Sequence, residues 1–319
     1  MTSTGRRITV FGGSGFVGEH LVRRLAKQGW VVRVAVRDPA TALKLKPLGN
    51  VGQIVPMRAD IRDQAAVDLA IAGADAVVNL VGILYESGAA TFQAIHAEGA
   101  ARVAATAAKA GAQHVVQISS IGADATSASA YARTKAAGEQ AVLAAFPAAA
   151  IMRPSIIFGP EDGFFNRFAR MAQLSPMLPL IGGGQTRFQP VYVGDVAEAV
   201  MRALSDPATA GRTYELGGPR VYTFKELMEL VLAETGRHRL LCTLPFRLAE
   251  IQASILERLP GGKLILTRDQ VEQLKRDNVA TAGVPGLAEL GIAATPAEAI
   301  IPTYLDIYRR GGRFTRRAA

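Results

Sequence analysis

The chain has 319 residues, a formal net charge of +9 at pH 7 and one cysteine, Cys242. This length is enough to bury a large core in one or two lobes, and a single cysteine excludes an internal disulfide. The four histidines show no metal-ligand spacing, and no apolar run is long enough to span a bilayer, so we expect no metal site and a soluble or peripheral protein.

Apolar strands alternate with helical segments through the first half of the sequence. We predict strands at Ile8–Phe11, Val31–Val36, Gln53–Met57, Ala76–Val81, Val115–Ile118 and Ala149–Phe158, with helices that include Gln93–Ala110 and Lys135–Ala145. Continuous apolar strands separated by helices are typical of a parallel sheet that is covered on both faces. The predicted fold is therefore α/β, a doubly wound parallel-sheet Rossmann fold.

The pattern changes after Gly159-Pro160. A glycine run at 182–184 marks an irregular region, a late strand at Thr213–Leu216 returns to the sheet, and helices dominate from Pro219 onward. We therefore predict a Rossmann lobe at residues 1–160, to which residues 191–217 return. Residues 161–190 and 218–319 are predicted to form a smaller, mostly helical C-terminal lobe.

The turn after the first strand is the most informative functional signal. It contains Gly12, Gly13, Ser14, Gly15, Phe16, Val17 and Gly18, and it leads into an apolar-periodic helix. Strand, glycine turn and helix together form the context of a dinucleotide-binding fingerprint. Gly12 is expected to form the tight turn, Gly15 to let the backbone approach a pyrophosphate, and Gly18 to let helix and strand pack closely. The helix N-terminus then offers N–H groups to the phosphates.

Tyr131 and Lys135 form a second signal. At one helical turn apart they share a face, and a nearby ammonium favours tyrosinate, so Tyr131 is a candidate general acid or base. Lys135 is also a candidate partner of a nicotinamide ribose. Ser120, at the end of the fifth strand, is placed to polarise a substrate carbonyl.

The residues after the second strand favour NADPH or NADP over NAD. An acidic residue about 20 positions past the glycines usually binds the ribose 2′-OH of NAD. Here Arg37 comes first, and a guanidinium pairs well with a 2′-phosphate. Asp38 leaves NAD as the less favoured alternative. Further predicted cofactor contacts are Asp60, Ile61, Val81, Gly82, Ser119, Pro154, Ser155 and Ile156, besides Tyr131 and Lys135.

Two surface features suggest partners. Arginines cluster near the C-terminus at positions 309, 310, 313, 316 and 317, and a helix predicted at Phe246–Leu259 has an amphipathic pattern. The apolar positions of that face are Phe246, Leu248, Ile251, Ile255, Leu256 and Leu259. Together these features are suited to anionic lipid or to a docking partner, with core packing as the equal alternative for the helix. No helix-turn-helix, zinc or RNA-binding signature is present, so we predict no nucleic-acid partner.

The glycine pattern, Ser119-Ser120 and Tyr-x-x-x-Lys resemble the short-chain dehydrogenase/reductase superfamily. Segments 153–159 and 191–197 resemble its extended and atypical branch. Segments 158–162, 189–193, 266–272 and 285–292 resemble more specifically the NADPH-binding accessory subunits of respiratory complex I (NADH:ubiquinone oxidoreductase). The resemblance runs from about Arg7 to Arg310.

This resemblance implies a mainly structural NADPH and a peripheral position where the hydrophilic and membrane arms of complex I meet. It implies that Gly12, Gly15, Phe16, Gly18, Arg37, Asp60, Tyr131 and Lys135 contact NADPH. With no presequence apparent, the expected location is cytoplasmic, on the inner face of a bacterial plasma membrane, or on the matrix side in a mitochondrion.

The intact catalytic set leaves a second hypothesis open. It is an active NADP(H)-dependent reductase or nucleotide-sugar epimerase/dehydratase that uses Ser120, Tyr131 and Lys135. A regulator that reports the NADPH/NADP⁺ ratio is a third hypothesis.

Overall fold

The structure is a computed structural model that describes residues 5–314, without the side chains of Leu264 and Arg313. The chain divides into two compact units. The first runs to Pro154 and takes in Gly194–Glu215 and Gly283–Ile292. The second takes in Ser155–Val193, Leu216–Ala282 and the described chain from Ala293 onward. The chain therefore leaves the first unit and returns to it twice.

The strands are β1 (Arg7–Phe11), β2 (Val31–Val36), β3 (Ile54–Arg58), β4 (Ala76–Asn79), β5 (His114–Ile118), β6 (Ala150–Pro154), β7 (Ile157–Phe158), β8 (Met177–Ile181), β9 (Arg187–Phe188), β10 (Val191–Tyr192), β11 (Thr213–Leu216), β12 (Tyr222–Thr223) and β13 (Leu240–Leu244). The helices are α1 (Phe16–Lys27), α2 (Gln64–Ile71), α3 (Ala100–Lys109), α4 (Ala130–Ala145), α5 (Phe165–Leu174), α6 (Val193–Ala203), α7 (Phe224–Thr235), α8 (Phe246–Leu256), α9 (Arg268–Gln273), α10 (Ala297–Ile300) and α11 (Pro302–Leu305). A 3-10 segment at Pro39–Leu48 and a π-helix at Gln93–Gly99 lie among them.

The main sheet has seven strands in the order β11-β6-β5-β4-β1-β2-β3, and the pairings from β6 to β3 are parallel. This confirms the predicted Rossmann-type α/β fold. The direction of winding reverses between β1 and β4, and ligands of such sheets bind outside the carboxyl ends of the strands at that reversal. The strand order therefore fixes where a nucleotide site should lie.

The central strands are apolar because they are covered on both faces. Ile8 and Val10 of β1 are fully buried, as are Val77 and Val78 of β4. A cluster of alanine, valine and isoleucine side chains from α2, α3 and the sheet packs below Phe11. Burial on both faces explains why these strands read as continuous apolar runs rather than as alternating ones.

Several predicted elements differ from the structure, among them the helix predicted from Lys135, which begins at Ala130. The strand predicted at Ala149–Phe158 is two strands, because Pro154 has no N–H to extend the ladder and β7 pairs in parallel with β10 instead. The helix predicted at Gln93–Ala110 is a π-helix followed by α3, since apolar periodicity does not report hydrogen-bond spacing. The fourth strand ends at Asn79, two residues earlier than predicted, because the Asn79 side chain accepts the Val81 N–H at 3.1 Å and turns the chain.

The second unit combines small two-stranded sheets with helices. β8 pairs with β13 in parallel and β9 pairs with β12 in antiparallel register. Helix α7 begins with a capping box, in which Thr223 and Glu226 exchange hydrogen bonds. A buried Asp162 accepts the Tyr304 hydroxyl proton at 2.5 Å and joins α11 to the chain before α5. Within residues 5–314, none of the helices combines the length and apolar character needed to cross a bilayer.

Candidate dinucleotide-binding site

The predicted residues of the first unit lie at one edge of its sheet. They follow the carboxyl ends of the parallel strands: Gly12 to Gly15 and the first turn of α1 (Phe16, Val17 and Gly18) after β1, Arg37 after β2, Asp60 and Ile61 after β3, Val81 and Gly82 after β4, Ser119 and Ser120 after β5, and Pro154 at the end of β6. Tyr131 and Lys135 lie in the first two turns of α4. Ser155 and Ile156 belong to the second unit.

The glycine turn has the backbone geometry that the sequence predicts. Gly12 has a φ of +75°, a conformation that side chains rarely adopt, and its N–H donates to the Ala35 carbonyl at 3.0 Å. A methyl group added at Gly18 would lie 2.6 Å from the Gly12 oxygen, so α1 packs directly on the turn. Helix α1 begins after Gly15, whose lack of a side chain leaves the N–H groups of the first turn uncapped. The turn therefore forms a cradle that a phosphate can enter.

Two charged residues follow β2: the Asp38 carboxylate has a hydrogen-bond partner, whereas the Arg37 guanidinium has none among the described residues. Asp38 accepts the Ala40 N–H at 3.0 Å and begins the 3-10 segment. Arg37 is exposed, and within residues 5–314 its guanidinium has no hydrogen bond or ion pair. Asp60 forms a 2.6 Å ion pair with Arg62, and the hydrogen bond from Arg62, aided by the charge of Arg37, holds the pKa of the Asp60 carboxyl below its usual value. Arg37 is thus an available charged group at this end of the site.

The 3-10 segment is tied back to the glycine turn. The Thr41 hydroxyl donates to the Asp38 carbonyl at 2.7 Å, so Ser14 is the donor in the 3.0 Å contact between the Ser14 and Thr41 hydroxyls. Lys44 forms a 2.7 Å ion pair with Glu19 of α1. These contacts place the phosphate cradle and the ribose-side residues in one connected structure.

Lys135 is the most unusual group at this edge. It is 6% exposed, and its Nζ lies 3.4 Å from the Ile118 carbonyl oxygen and 5.7 Å from the centre of the Tyr131 ring. Burial lowers the pKa of Lys135 to about 8, although the charge of Glu139 opposes the change. Glu139 itself is held by Arg153 through hydrogen bonds of 2.9 and 2.6 Å. No carboxylate within the described chain forms an ion pair with this ammonium.

The serines after β5 provide unused hydrogen-bonding groups. The hydroxyl oxygens of Ser119 and Ser120 are buried and have no partner among residues 5–314. Buried polar groups are normally paired, because an unpaired one costs about 1–3 kcal/mol. These hydroxyls, the Lys135 ammonium, which has no ion pair among residues 5–314, and the glycine cradle together fit a polar, anionic dinucleotide.

The loop after β4 passes close to Lys135. A methyl group added at Gly82 would lie 3.3 Å from Lys135 Nζ and 3.7 Å from His96 Nε2. Val81 packs against the turn, with its Cγ2 3.3 Å from a methyl placed at Gly12. Gly82 therefore allows the chain to approach the ammonium without covering it.

The remaining predicted contacts have structural partners. Ile61 is buried in the core, and its carbonyl accepts from Arg102 at 2.6 Å. The Pro154 carbonyl accepts the Ile121 N–H at 3.0 Å. In the second unit, the side chain of Asn278 accepts the Ser155 hydroxyl at 2.6 Å and the Ile156 N–H at 3.0 Å. Their predicted roles as cofactor contacts stay predictions.

Two residues of this edge were missed by the sequence reasoning. Arg58 ends β3 as the register partner of Val36, and it is exposed next to the end of the strand that precedes Arg37. His96 lies buried in the π-helix beside Gly82. Strand pairing places Arg58 at this edge, and helix packing places His96 there. Neither can be predicted from the residues that surround them in the sequence.

Comparison with known proteins agrees with this architecture. Residues 8–217 match the sequence model of the NAD dependent epimerase/dehydratase family. The mitochondrial NADH dehydrogenase [ubiquinone] 1 alpha subcomplex subunit 9 of Arabidopsis thaliana is 37% identical over 314 residues, which cover 95% of this chain and 78% of that protein. The corresponding protein of Dictyostelium discoideum is 32% identical over 98% of this chain and 87% of its own length.

A solved structure shares the fold. The dTDP-glucose 4,6-dehydratase DesIV of Streptomyces venezuelae, determined with NAD and TYD bound, has a TM-score of 0.73 and 21% sequence identity. The match covers 95% of this chain and 96% of DesIV. At this identity the similarity concerns the fold alone.

Proposed function

Because the chain belongs to the NAD dependent epimerase/dehydratase family, we propose that it is an NADP(H)-binding accessory subunit of respiratory complex I, in which the cofactor is mainly structural. The strongest support is the length of the similarity to complex I subunits, which covers 95% of the chain and so includes both units. The uncapped phosphate cradle supports the cofactor, as does the exposed Arg37, whose guanidinium has no partner among residues 5–314.

The choice of NADP(H) depends on the residues after β2. The Asp38 carboxylate already accepts the Ala40 N–H, whereas the Arg37 guanidinium has no hydrogen bond or ion pair among the described residues. A guanidinium forms charge-assisted hydrogen bonds with a 2′-phosphate, at about 1.5–3 kcal/mol each. Arg37→Ala should therefore weaken NADPH binding by about tenfold to a hundredfold and leave NADH binding within about twofold. Wild-type protein that binds NADH as tightly as NADPH would overturn the choice.

The proposed location is peripheral, on the cytoplasmic or matrix side of the membrane and near the junction of the two arms of complex I. Helix α8 supports it: Leu248, Ile251 and Ile255 are 54%, 58% and 55% exposed, and they share one face. Phe246 and Leu256, predicted on the same face, are partly covered, and Phe246 packs against the small core cluster that includes Ala253, so Phe246 follows the core-packing alternative.

The charged surroundings of α8 also suit an anionic lipid surface. Arg247 and Arg258 are exposed and have no ion pair within the described chain. In the predicted basic C-terminus, Arg309 is paired with Glu234 at 3.3 Å, while Arg316, Arg317 and the side chain of Arg313 lie outside the described residues. We therefore assign lipid contact to α8 and its arginines first.

The experiment that tests the proposed function is a native pull-down of the tagged chain from gently solubilised membranes, followed by mass spectrometry of partners and nucleotide. The expected result is recovery of complex I subunits with one NADP(H) per chain. Recovery of the chain alone, from the soluble fraction and with freely exchanging cofactor, would overturn the proposal.

A second candidate is an active reductase or nucleotide-sugar epimerase/dehydratase. It is favoured by the complete set of Ser120, Tyr131 and Lys135 and by the unpartnered Ser120 hydroxyl. In this case Tyr131→Phe should abolish turnover and leave NADPH affinity largely unchanged. No substrate-dependent NADPH oxidation across a broad carbonyl panel would argue against it.

A further inference from the structure

His96 is a buried histidine that bridges two elements of the first unit. Its side chain is 3% exposed and lies within the π-helix Gln93–Gly99. The Ile83 N–H, in the loop after β4, donates to His96 Nε2 at 3.0 Å. His96 Nδ1 lies 3.3 Å from the hydroxyl oxygen of Thr134, which stands between Tyr131 and Lys135 on α4. One imidazole therefore joins the loop to the helix.

The hydrogen bonds define one tautomer. Because Ile83 offers an N–H, Nε2 must be unprotonated. The Thr134 oxygen lies 2.8 Å from the Ala130 carbonyl oxygen and 3.0 Å from that of Tyr131, so its own proton is directed to a carbonyl and it accepts from His96 Nδ1. Burial, together with the charge of Lys135, lowers the pKa of His96 to about 3. The imidazole is therefore neutral at physiological pH.

The ring also packs against the candidate acid/base. The His96 ring stacks on Phe92 at 5.4 Å between centroids and meets the edge of Tyr131 at 5.1 Å and 85°. Its Nε2 lies 3.7 Å from a methyl group placed at Gly82. The charged and titratable groups that face it are thus Lys135 and Tyr131, both from α4.

We propose that His96 is a positioning residue for the nicotinamide half of the site, which holds the loop at Gly82 and Ile83 in register with the α4 face that presents Tyr131 and Lys135. This inference rests on the proposed NADP(H)-binding function. A residue needed only to fill space would not require two directed hydrogen bonds to residues 13 and 38 positions away. The adenine half of the site, at Arg37 and Asp60, shares none of these contacts.

The test compares two ligands and two variants. His96→Phe keeps an aromatic ring against Phe92 and Tyr131 but loses both hydrogen bonds, and His96→Gln keeps an acceptor for the Ile83 N–H. NADPH probes the whole site, and adenosine 2′,5′-bisphosphate probes only the adenine half. Dissociation constants come from calorimetry, with circular dichroism as the check on folding.

We expect His96→Phe to weaken NADPH by about tenfold and adenosine 2′,5′-bisphosphate by less than twofold. His96→Gln should regain at least half of the loss on a logarithmic scale. Unchanged NADPH affinity, equal loss for both ligands, or no recovery in His96→Gln would each overturn the inference. Wild-type protein that binds neither ligand would instead overturn the proposed function, and the inference with it.

A measurement on wild-type protein covers the case in which His96→Phe does not fold. In ¹⁵N NMR, His96 should show a protonated Nδ1 and an unprotonated Nε2 with no titration between pH 5 and 8. These resonances should shift on addition of NADPH and stay fixed with adenosine 2′,5′-bisphosphate. The other tautomer, an imidazolium, or a response to both ligands would overturn the inference.

Discussion

Replacing Lys135 by methionine should separate the stability of the ligand-free protein from its affinity for nucleotide. The Lys135 side chain is 6% exposed, and its ammonium has no ion pair within the described chain. Methionine has a similar length and no charge, so it fills the same space without the cost of burying an ammonium. We therefore expect Lys135→Met to be more stable than wild type without ligand, and to bind NADPH poorly.

The magnitude follows from the pKa of Lys135. That pKa falls from 10.5 to about 8 on folding, which at about 1.4 kcal/mol for each pH unit corresponds to about 3 kcal/mol. Since the unfolded state holds the proton more tightly, the penalty is fully present below pH 8 and disappears as the pH rises to 10.5. The difference in unfolding free energy between Lys135→Met and wild type should therefore be largest at pH 7 and close to zero above pH 10.5.

The assay is urea unfolding followed by circular dichroism, with wild type and variant measured in parallel from pH 7 to 10.5. Lys109→Met is the matched control, because Lys109 is exposed in the last turn of α3 and its replacement should change stability by less than about 0.5 kcal/mol. Lower stability of ligand-free Lys135→Met at pH 7, or a difference that does not shrink with rising pH, would refute the reasoning.

Three further changes test other parts of the structure. Gly18→Ala places a methyl group 2.6 Å from backbone atoms and should cost about 1–3 kcal/mol in urea unfolding, whereas Gly163→Ala, which meets nothing within 4 Å, should be neutral. Tyr304→Phe leaves the buried Asp162 without its 2.5 Å partner and should cost about 1–3 kcal/mol at pH 7. That cost should be smaller at pH 4, because burial raises the pKa of Asp162 and a protonated carboxyl needs the bond less; an equal cost at both pH values would contradict this. Ile251→Ser should leave the urea midpoint unchanged but reduce recovery with anionic vesicles, since Ile251 is 58% exposed; unchanged recovery would argue against lipid contact by α8.

Features encoded in short segments were predictable from the sequence. The glycine turn between β1 and α1 depends on residues 12–18 alone, and Gly18 meets the turn because helix and turn are adjacent in the chain. The Tyr131–Lys135 pair needs only a helix, which Ser129 begins by accepting the Ala132 N–H at 3.2 Å. In both cases the chemistry and the backbone signal occupy the same few residues.

Features that depend on distant pairing were not predictable. The Ser155 hydroxyl donates a hydrogen bond to the Asn278 side chain, 123 positions away. The sequence around either residue contains no pattern that predicts this contact. Gly138 places α4 so close to the π-helix that an added methyl group would overlap the His96 carbonyl. That close approach depends on residues far apart in the sequence, and the apolar pattern of residues 93–110 does not distinguish a π-helix from an ordinary α-helix.

A mainly structural cofactor is consistent with the physical state of the ligand-free site. Lys135 has a buried ammonium, and Glu139, whose charge acts on it, is already bound to Arg153. Ser119 and Ser120 have buried hydroxyls without partners in the described chain. Each of these groups destabilises the ligand-free protein, and a nucleotide phosphate or ribose can supply the missing partner. A nucleotide that binds only the folded state at one hundred times its dissociation constant raises the free energy of unfolding by about 2.7 kcal/mol. Under the proposed function, the residues that would serve a reductase thus also give the chain a physical reason to hold a structural cofactor.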